Sequence, residues 1–128
     1  MARYEHLPIY KKAYDLTLYF EKLVRNFGRY HKYGLGEDLR RLSRRVVQNI
    51  RQANDAHDKT LLLLQNRNTL EELKLTIRLC RDLKAFPNAN SYQHSVNLVI
   101  EIIRQNEGWL GTAMKKEKPE SLMTGPPA

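Results

Sequence analysis

The sequence predicts an all-α fold, an up-down-up-down antiparallel four-helix bundle, from three observations. Four segments repeat apolar residues with the i, i+3, i+4 spacing of an amphipathic helix. Short stretches rich in glycine, proline or asparagine separate these segments, as the turns of a bundle require. No stretch shows the alternation of apolar and polar residues that marks a strand. The 128 residues are enough for a single domain with one modest core.

The first two predicted helices run from about Pro8 to Phe27 and from about Glu37 to Asn54. Proline suits the first helical turn because its missing N–H has no intrahelical partner there, and Gly28 is a natural stop. Acidic residues in the first turn of the second helix complement its dipole. The predicted buried residues are Ile9, Ala13, Leu16, Phe20, Leu23 and Phe27 in the first helix and Leu39, Leu42, Val46 and Ile50 in the second.

The third predicted helix runs from an N-cap at Asp58 to about Lys84. The fourth begins at Asn90, with Gln93 three residues later in capping-box spacing. The predicted buried residues are Leu63, Leu70, Leu73, Ile77 and Cys80 in the third helix and Tyr92, Val96, Val99, Ile103 and Leu110 in the fourth.

The ends of the chain differ from its middle. Residues 115–128 lose the helical periodicity and are rich in lysine, glutamate, proline and glycine, so we predict a disordered tail there. We therefore expect a lead-in at residues 1–7 and a bundle at residues 8–114. One cysteine excludes an internal disulfide framework. Because no apolar run resembles a signal peptide or a membrane span, we expect a soluble protein that contacts no membrane.

Additional apolar residues lie outside the predicted core stripes. They form second stripes on the first, third and fourth predicted helices, and a monomeric bundle needs only about one apolar face per helix. Subunit association is the favoured interpretation, and a wide core stripe in a monomer is the alternative. The candidate interface residues are Tyr10, Tyr14, Leu18, Leu75, Leu79, Leu98, Ile102 and Trp109.

Positive charge is the strongest functional signal in the chain. The net charge is +8 and the pI is about 9.7, so an acidic partner is expected. Residues 39–51 contain five arginines and no acid, and guanidinium forks pair well with phosphate oxygens. At 100° per residue, Arg40, Arg44 and Arg51 share one flank of this helix, and Arg41 and Arg45 lie on the other. Further candidate contacts to a nucleic acid or a partner are Lys11, Lys12, Arg78, Arg81 and Lys84.

Each basic residue also has a simpler interpretation as part of a solvated face that keeps the protein soluble. For the cluster as a whole, binding is the favoured interpretation, and basic clusters of this kind mainly contact phosphates. The loop after the first helix adds Tyr30 and Tyr33. These rings either stack on bases or anchor the loop on the bundle.

Residue spacing gives little support for catalysis. The four histidines are not spaced as metal ligands, no glycine-rich phosphate loop is present, and no serine has a recognisable local base. Glu71 and Glu72 are adjacent and point in different directions on a helix, so they do not form an acid–base pair there. We therefore predict a protein that is not an enzyme and needs no metal or cofactor.

Four segments in series resemble one family of proteins: LPIYKKAYDLTLYFEKLVRNF, RYHKYGLGEDLR, LEELKLTIRLCRDLKAF and YQHSVNLVIEIIRQNEGWL. Together, over about residues 7–114, they resemble the accessory variability determinant (Avd) proteins of diversity-generating retroelements. The wider four-helix-bundle family includes proteins encoded in intervening sequences of ribosomal RNA, where an Asn-Ile-Ala-Glu-Gly-like pattern often ends the second helix. Here residues 49–53 read NIRQA, without the acid, which favours the retroelement branch.

The resemblance implies a homopentameric barrel that binds the retroelement reverse transcriptase and its template RNA, and the cDNA. Such a protein supports mutagenic cDNA synthesis without being an enzyme, in the cytoplasm of a bacterium or archaeon or encoded by a phage. The residues to which the binding role carries over are Arg40, Arg41, Arg44, Arg45, Arg51, Arg78 and Arg81. The alternatives are a protein-interaction scaffold, a structural protein of the intervening-sequence type, and a small RNA-processing enzyme for which no acid or base can be named.

Overall fold

A computed structural model describes the backbone of residues 3–124 and the side chains of residues 4–116. Within this part of the chain, a 3₁₀ turn at Arg3–His6 precedes five α-helices. The helices are α1 (Pro8–Arg25), α2 (Arg29–Lys32), α3 (Leu35–Asp55), α4 (Thr60–Asp82) and α5 (Ala89–Thr124).

The four long helices pack against one another as an antiparallel bundle, as the sequence predicts. Helix α3 packs between α1 and α4, and α5 closes the bundle by packing on both α4 and α1. Short connections make consecutive helices antiparallel neighbours. The turns after α1 and after α4 therefore lie at one end of the bundle, and the turn after α3 lies at the other. Among residues 3–124, no helix is both long enough and apolar enough to cross a membrane.

The predicted core stripes of α1, α3 and α4 are all buried. Helix α1 ends at Arg25, two residues earlier than expected, yet Phe27 still packs into the core. Helix α3 begins at Leu35 rather than Glu37. The predicted loop between Gly28 and Gly34 contains the single turn α2.

Two predicted helix starts differ in detail. Helix α4 begins at Thr60, and the backbone N–H of Thr60 donates to Asp58 Oδ1 at 3.1 Å. The fourth predicted helix starts at Ala89, and its capping side chain is Asn88, whose Oδ1 accepts the N–H of Ser91 at 2.8 Å. The predicted capping box at Asn90 is therefore wrong, and Gln93 instead donates to Asn97 one turn later.

The buried stripe of α5 is more polar than the sequence predicts. Val99 and Leu110 are buried as expected, but Tyr92, Val96 and Ile103 are only partly buried. The stripe that faces the core consists of Ser91, Ser95, Val99, Ile102, Asn106, Leu110 and Ala113. Ser95 satisfies its hydroxyl by donating to the carbonyl of Ser91 at 2.8 Å, which lets a small polar residue occupy the core.

A ladder of buried amides crosses three helices. Asn49 on α3 donates to Asn66 on α4 at 3.1 Å, and Asn66 donates to Asn106 on α5 at 2.9 Å. Asn106 in turn donates to the carbonyl of Leu63 at 3.2 Å, while Asn49 also donates to Thr69 Oγ1 at 3.3 Å. Because a buried amide without partners is costly, this amide ladder fixes the register of α3, α4 and α5.

Helix α5 extends to Thr124, past the boundary that the sequence predicts at residue 114. Residues 125–128 of the predicted tail lie outside the described part of the chain, and the disorder of residues 115–128 stays a prediction.

Candidate nucleic-acid interface

The five arginines of residues 39–51 lie beside and opposite the buried stripe of α3. We call them the α3 arginine face: Arg40, Arg41, Arg44, Arg45 and Arg51. Arg40 faces α1, where its Nε lies 3.3 Å from Glu21 Oε2. Arg45 faces α4 and lines a groove with Gln48 and Glu72. The predicted division of the arginines between two flanks is confirmed for these two residues.

Acids from the first turn of α3 partly neutralise this face. Glu37 contacts Arg40 at 3.5 Å and Arg44 at 3.6 Å, and Asp38 contacts Arg41 at 3.5 Å. All these side chains are at least partly exposed, so each ion pair contributes only about 0–1 kcal/mol. A phosphate group can therefore compete with these carboxylates at the exposed Arg41 and Arg44, whereas the Nε of Arg40 is buried.

Arg45 and Arg51 are different, because neither forms an ion pair with any side chain of residues 4–116. Both are exposed, and the exposed amide of Gln48 lies between them on the outer face. The positive charge that acids leave uncompensated therefore lies in the second half of α3. The sequence signal for this uncompensated charge is that no Asp or Glu occurs between residues 39 and 54.

A second basic surface lines the groove between α4 and α5. Lys74, Arg78 and Arg81 follow one edge of this groove of about 320 Å³, with Val96 and Ile100 across it. Arg81 donates to Tyr92 Oη at 3.0 Å, and its Cζ lies 5.2 Å from the ring centroid. We call the three cations the α4 basic row.

Sequence reasoning missed two members of this groove. Lys74 was not singled out, although it lies four residues before Arg78 on the same flank. Tyr92 was assigned to the core, but its partly buried ring leaves the hydroxyl at the groove. Lys74 also contacts Glu71 at 3.3 Å, and Arg81 contacts Asp82 at 2.9 Å, so Arg78 alone in the row lacks an ion pair among the described side chains.

The α3 arginine face and the α4 basic row are separate surfaces. Glu72 lies on the flank of α4 toward α3, whereas the α4 basic row faces α5. Between the two flanks, the outer face of α4 exposes Leu75 (59 %) and Leu79 (42 %). The structure therefore places Arg45 and Arg78 on separate surfaces.

The other predicted basic contacts are more scattered. Lys11 and Lys12 are exposed on α1. Lys12 precedes Tyr19 by two helical turns, and Tyr19 contacts α5, with its ring centroid 4.5 Å from that of His94. Lys12 thus lies on the α5 side of α1, away from the α3 arginine face.

Lys84 follows the end of α4 in a left-handed conformation, with φ of 60°. The adjacent Ala85 N–H closes the helix by donating to the carbonyl of Cys80 at 2.8 Å. Glycine usually occupies such a position because a side chain there costs about 1 kcal/mol. Lys84 is exposed and lies at the end of the bundle that also carries α2.

The predicted interface residues fall into three groups. Ile102 is a correction: it is fully buried in the core of the bundle and is not available for a subunit contact. Tyr10, Leu98 and Trp109 are partly buried and pack against the core. The exposed residues are Tyr14, Leu18, Leu75 and Leu79.

The described residues give little support for catalysis. No group of three His, Cys, Asp or Glu side chains among them could hold a metal ion. Burial raises the pKa of the Cys80 thiol to about 12, so this cysteine stays protonated and unreactive at neutral pH. A cavity of about 420 Å³ lies between the α3–α4 turn and α5, lined by His57 and Trp109. Lys59, which also lines this cavity, uses its ammonium group to cap the carbonyl end of α3.

No protein-family model and no curated protein matches this chain, so the resemblance to the Avd family remains a prediction.

Proposed function

We propose that this protein is a basic, non-catalytic RNA-binding accessory protein that holds template RNA beside a reverse transcriptase during mutagenic cDNA synthesis. The observation that carries RNA binding is the α3 arginine face, which presents five guanidinium groups on one helix. Arg45 and Arg51 form no ion pair with an acid among the described side chains, and the other three form ion pairs that are at least partly exposed. The polymerase and the template come from the resemblance alone.

The α4 basic row supports the same proposal. Its three cations line a groove with an aromatic side chain, and phosphates and bases are recognised by these two types of group. Two basic surfaces on different sides of one subunit suit a protein that contacts RNA on one surface and a second macromolecule on the other.

Self-association is part of the proposal. Leu75 and Leu79 expose apolar area one helical turn apart on α4, and Tyr14 and Leu18 do the same on α1. We expect these two patches to meet in a homopentamer, the number implied by the resemblance. Light scattering coupled to size exclusion, after nuclease treatment, should give the mass of five subunits, and a monomer would reject this part of the proposal.

Charge removal tests RNA binding directly. The double variant Arg45→Gln with Arg51→Gln should weaken binding of an unstructured RNA roughly tenfold or more at about 100 mM salt, because two phosphate contacts are lost. Binding is measured by fluorescence anisotropy.

The matched control is Arg67→Gln with Arg104→Gln, which removes the same charge elsewhere. Arg67 pairs with Glu107, with Nη2 and Oε1 2.7 Å apart, and Arg104 is exposed on α5. Equal losses in both double variants would show that only net charge matters, and no loss in either would exclude the α3 arginine face.

A further inference from the structure

Two tyrosines of the α2 turn are exposed to an unusual degree. Tyr30 is 90 % exposed and Tyr33 is 74 % exposed, whereas Tyr10, Tyr19 and Tyr92 are all partly buried against the bundle. The interpretation that both rings anchor the loop is therefore wrong. Tyrosine rings normally bury much of their apolar area, so two exposed rings in one turn indicate a surface that contacts something else.

The turn that carries these rings is hydrogen-bonded within itself and leads into a close contact between α3 and α1. The N–H groups of His31 and Lys32 both donate to the carbonyl of Gly28 at 3.0 Å. After the turn, Gly36 packs so closely on α1 that an added Cβ would lie 2.6 Å from Val24 Cγ1. The two tyrosines are three residues apart, so their side chains lie on the same face of this turn.

The stretch of chain that contains the two tyrosines is positively charged. Residues 22–36 contain Lys22, Arg25, Arg29 and Lys32 and no acid. None of these four cations forms an ion pair with a described side chain. The neighbouring turn after α4 adds Lys84, and the ring contact between Phe27 and Phe86, 5.8 Å between centroids, ties the two turns together.

The acids at this end of the bundle are already occupied. Glu37 contacts Arg40 and Arg44, Asp38 contacts Arg41, and Asp82 contacts Arg81. A ligand that approaches the α2 turn therefore meets cations and aromatic faces. This combination is typical of surfaces that bind single-stranded nucleic acid, because cations hold the backbone while rings stack on bases.

We propose that the α2 turn binds unpaired nucleotides of RNA, with bases stacked on Tyr30 and Tyr33 and phosphates held by Arg25, Arg29 and Lys84. This inference rests on the proposed function and narrows its ligand to single-stranded RNA. In a duplex, neighbouring bases cover the faces of each internal base, so Tyr30 and Tyr33 have no free base to stack on.

The test compares an unstructured RNA of about 12 nucleotides with the same strand annealed to its complement. Fluorescence anisotropy at about 50 mM salt gives both affinities for the wild type and for three variants. Tyr30→Ala with Tyr33→Ala removes both rings, and Tyr30→Phe with Tyr33→Phe keeps them. Leu61→Ala, the control, removes an exposed apolar side chain at the start of α4, at the opposite end of the bundle.

The wild type should bind the single strand at least tenfold more tightly than the duplex, and the alanine pair should lose roughly tenfold per ring on the single strand alone. The phenylalanine pair and Leu61→Ala should bind like the wild type. Equal affinity for both RNAs, unchanged in the alanine pair, would overturn the inference and leave RNA binding intact. Failure of the wild type to bind either RNA would overturn both the inference and the proposed function.

Discussion

Arg40 illustrates how two kinds of neighbour determine the charge of a surface. Its contact with Glu37 follows from i, i+3 spacing and is predictable from sequence. Its contact with Glu21 depends on α1 lying beside α3, which no local pattern reveals. The sequence therefore identifies where arginines are concentrated, but overestimates how many of them are free of acids.

Lys84 gives a prediction that separates folding from binding. Lys84→Gly should raise the free energy of unfolding by roughly 0.5–1 kcal/mol, because glycine adopts the left-handed conformation at φ of 60° without a Cβ clash. Urea denaturation measures this change. RNA affinity should fall slightly in the same variant, because a cation beside the α2 turn is lost.

Lys84→Ala is the matched control for this prediction. It removes the charge but keeps a Cβ in the left-handed conformation, so its stability should stay close to that of the wild type. If glycine and alanine were equally stable at this position, the backbone of Lys84 would carry no strain.

At the scale of helices, the apolar period predicts α1, α3 and α4 well because large apolar residues occupy their buried stripes. The same reasoning fails for α5. There Ser91, Ser95 and Asn106 occupy the core, and the more apolar Tyr92 and Val96 lie at the α4–α5 groove. A prediction based on hydrophobicity alone therefore assigns the apolar groove residues of such a helix to its buried face.

The amide ladder makes a prediction at this scale. Asn66→Ala should lower the free energy of unfolding by about 2–4 kcal/mol, because it leaves the amide groups of Asn49 and Asn106 without their shared partner. Urea denaturation of the variant and the wild type gives the difference.

Asn68→Ala is the control on the same helix, since Asn68 is exposed and its loss should change stability by less than about 0.5 kcal/mol. Similar effects of Asn66→Ala and Asn68→Ala would mean that the ladder contributes little to the bundle.

At the scale of the whole molecule, the sequence predicts the bundle because four amphipathic segments with short turns have few other ways to bury their apolar faces. It does not predict the grooves, since these depend on which flanks meet. The α3 arginine face and the α4 basic row are therefore separate surfaces, although α3 and α4 pack against each other. The exposure of Tyr30 and Tyr33 likewise depends on how α2 packs on the bundle, which no local sequence pattern reveals.

The salt dependence of RNA binding tests the central claim of an RNA-binding surface most directly. With about six phosphate contacts, a plot of log affinity against log salt concentration should have a slope near −4 for a single strand. Arg45→Gln with Arg51→Gln should reduce the magnitude of that slope by about 1.4. Binding that does not change with salt, or no binding at about 50 mM salt, would contradict the account.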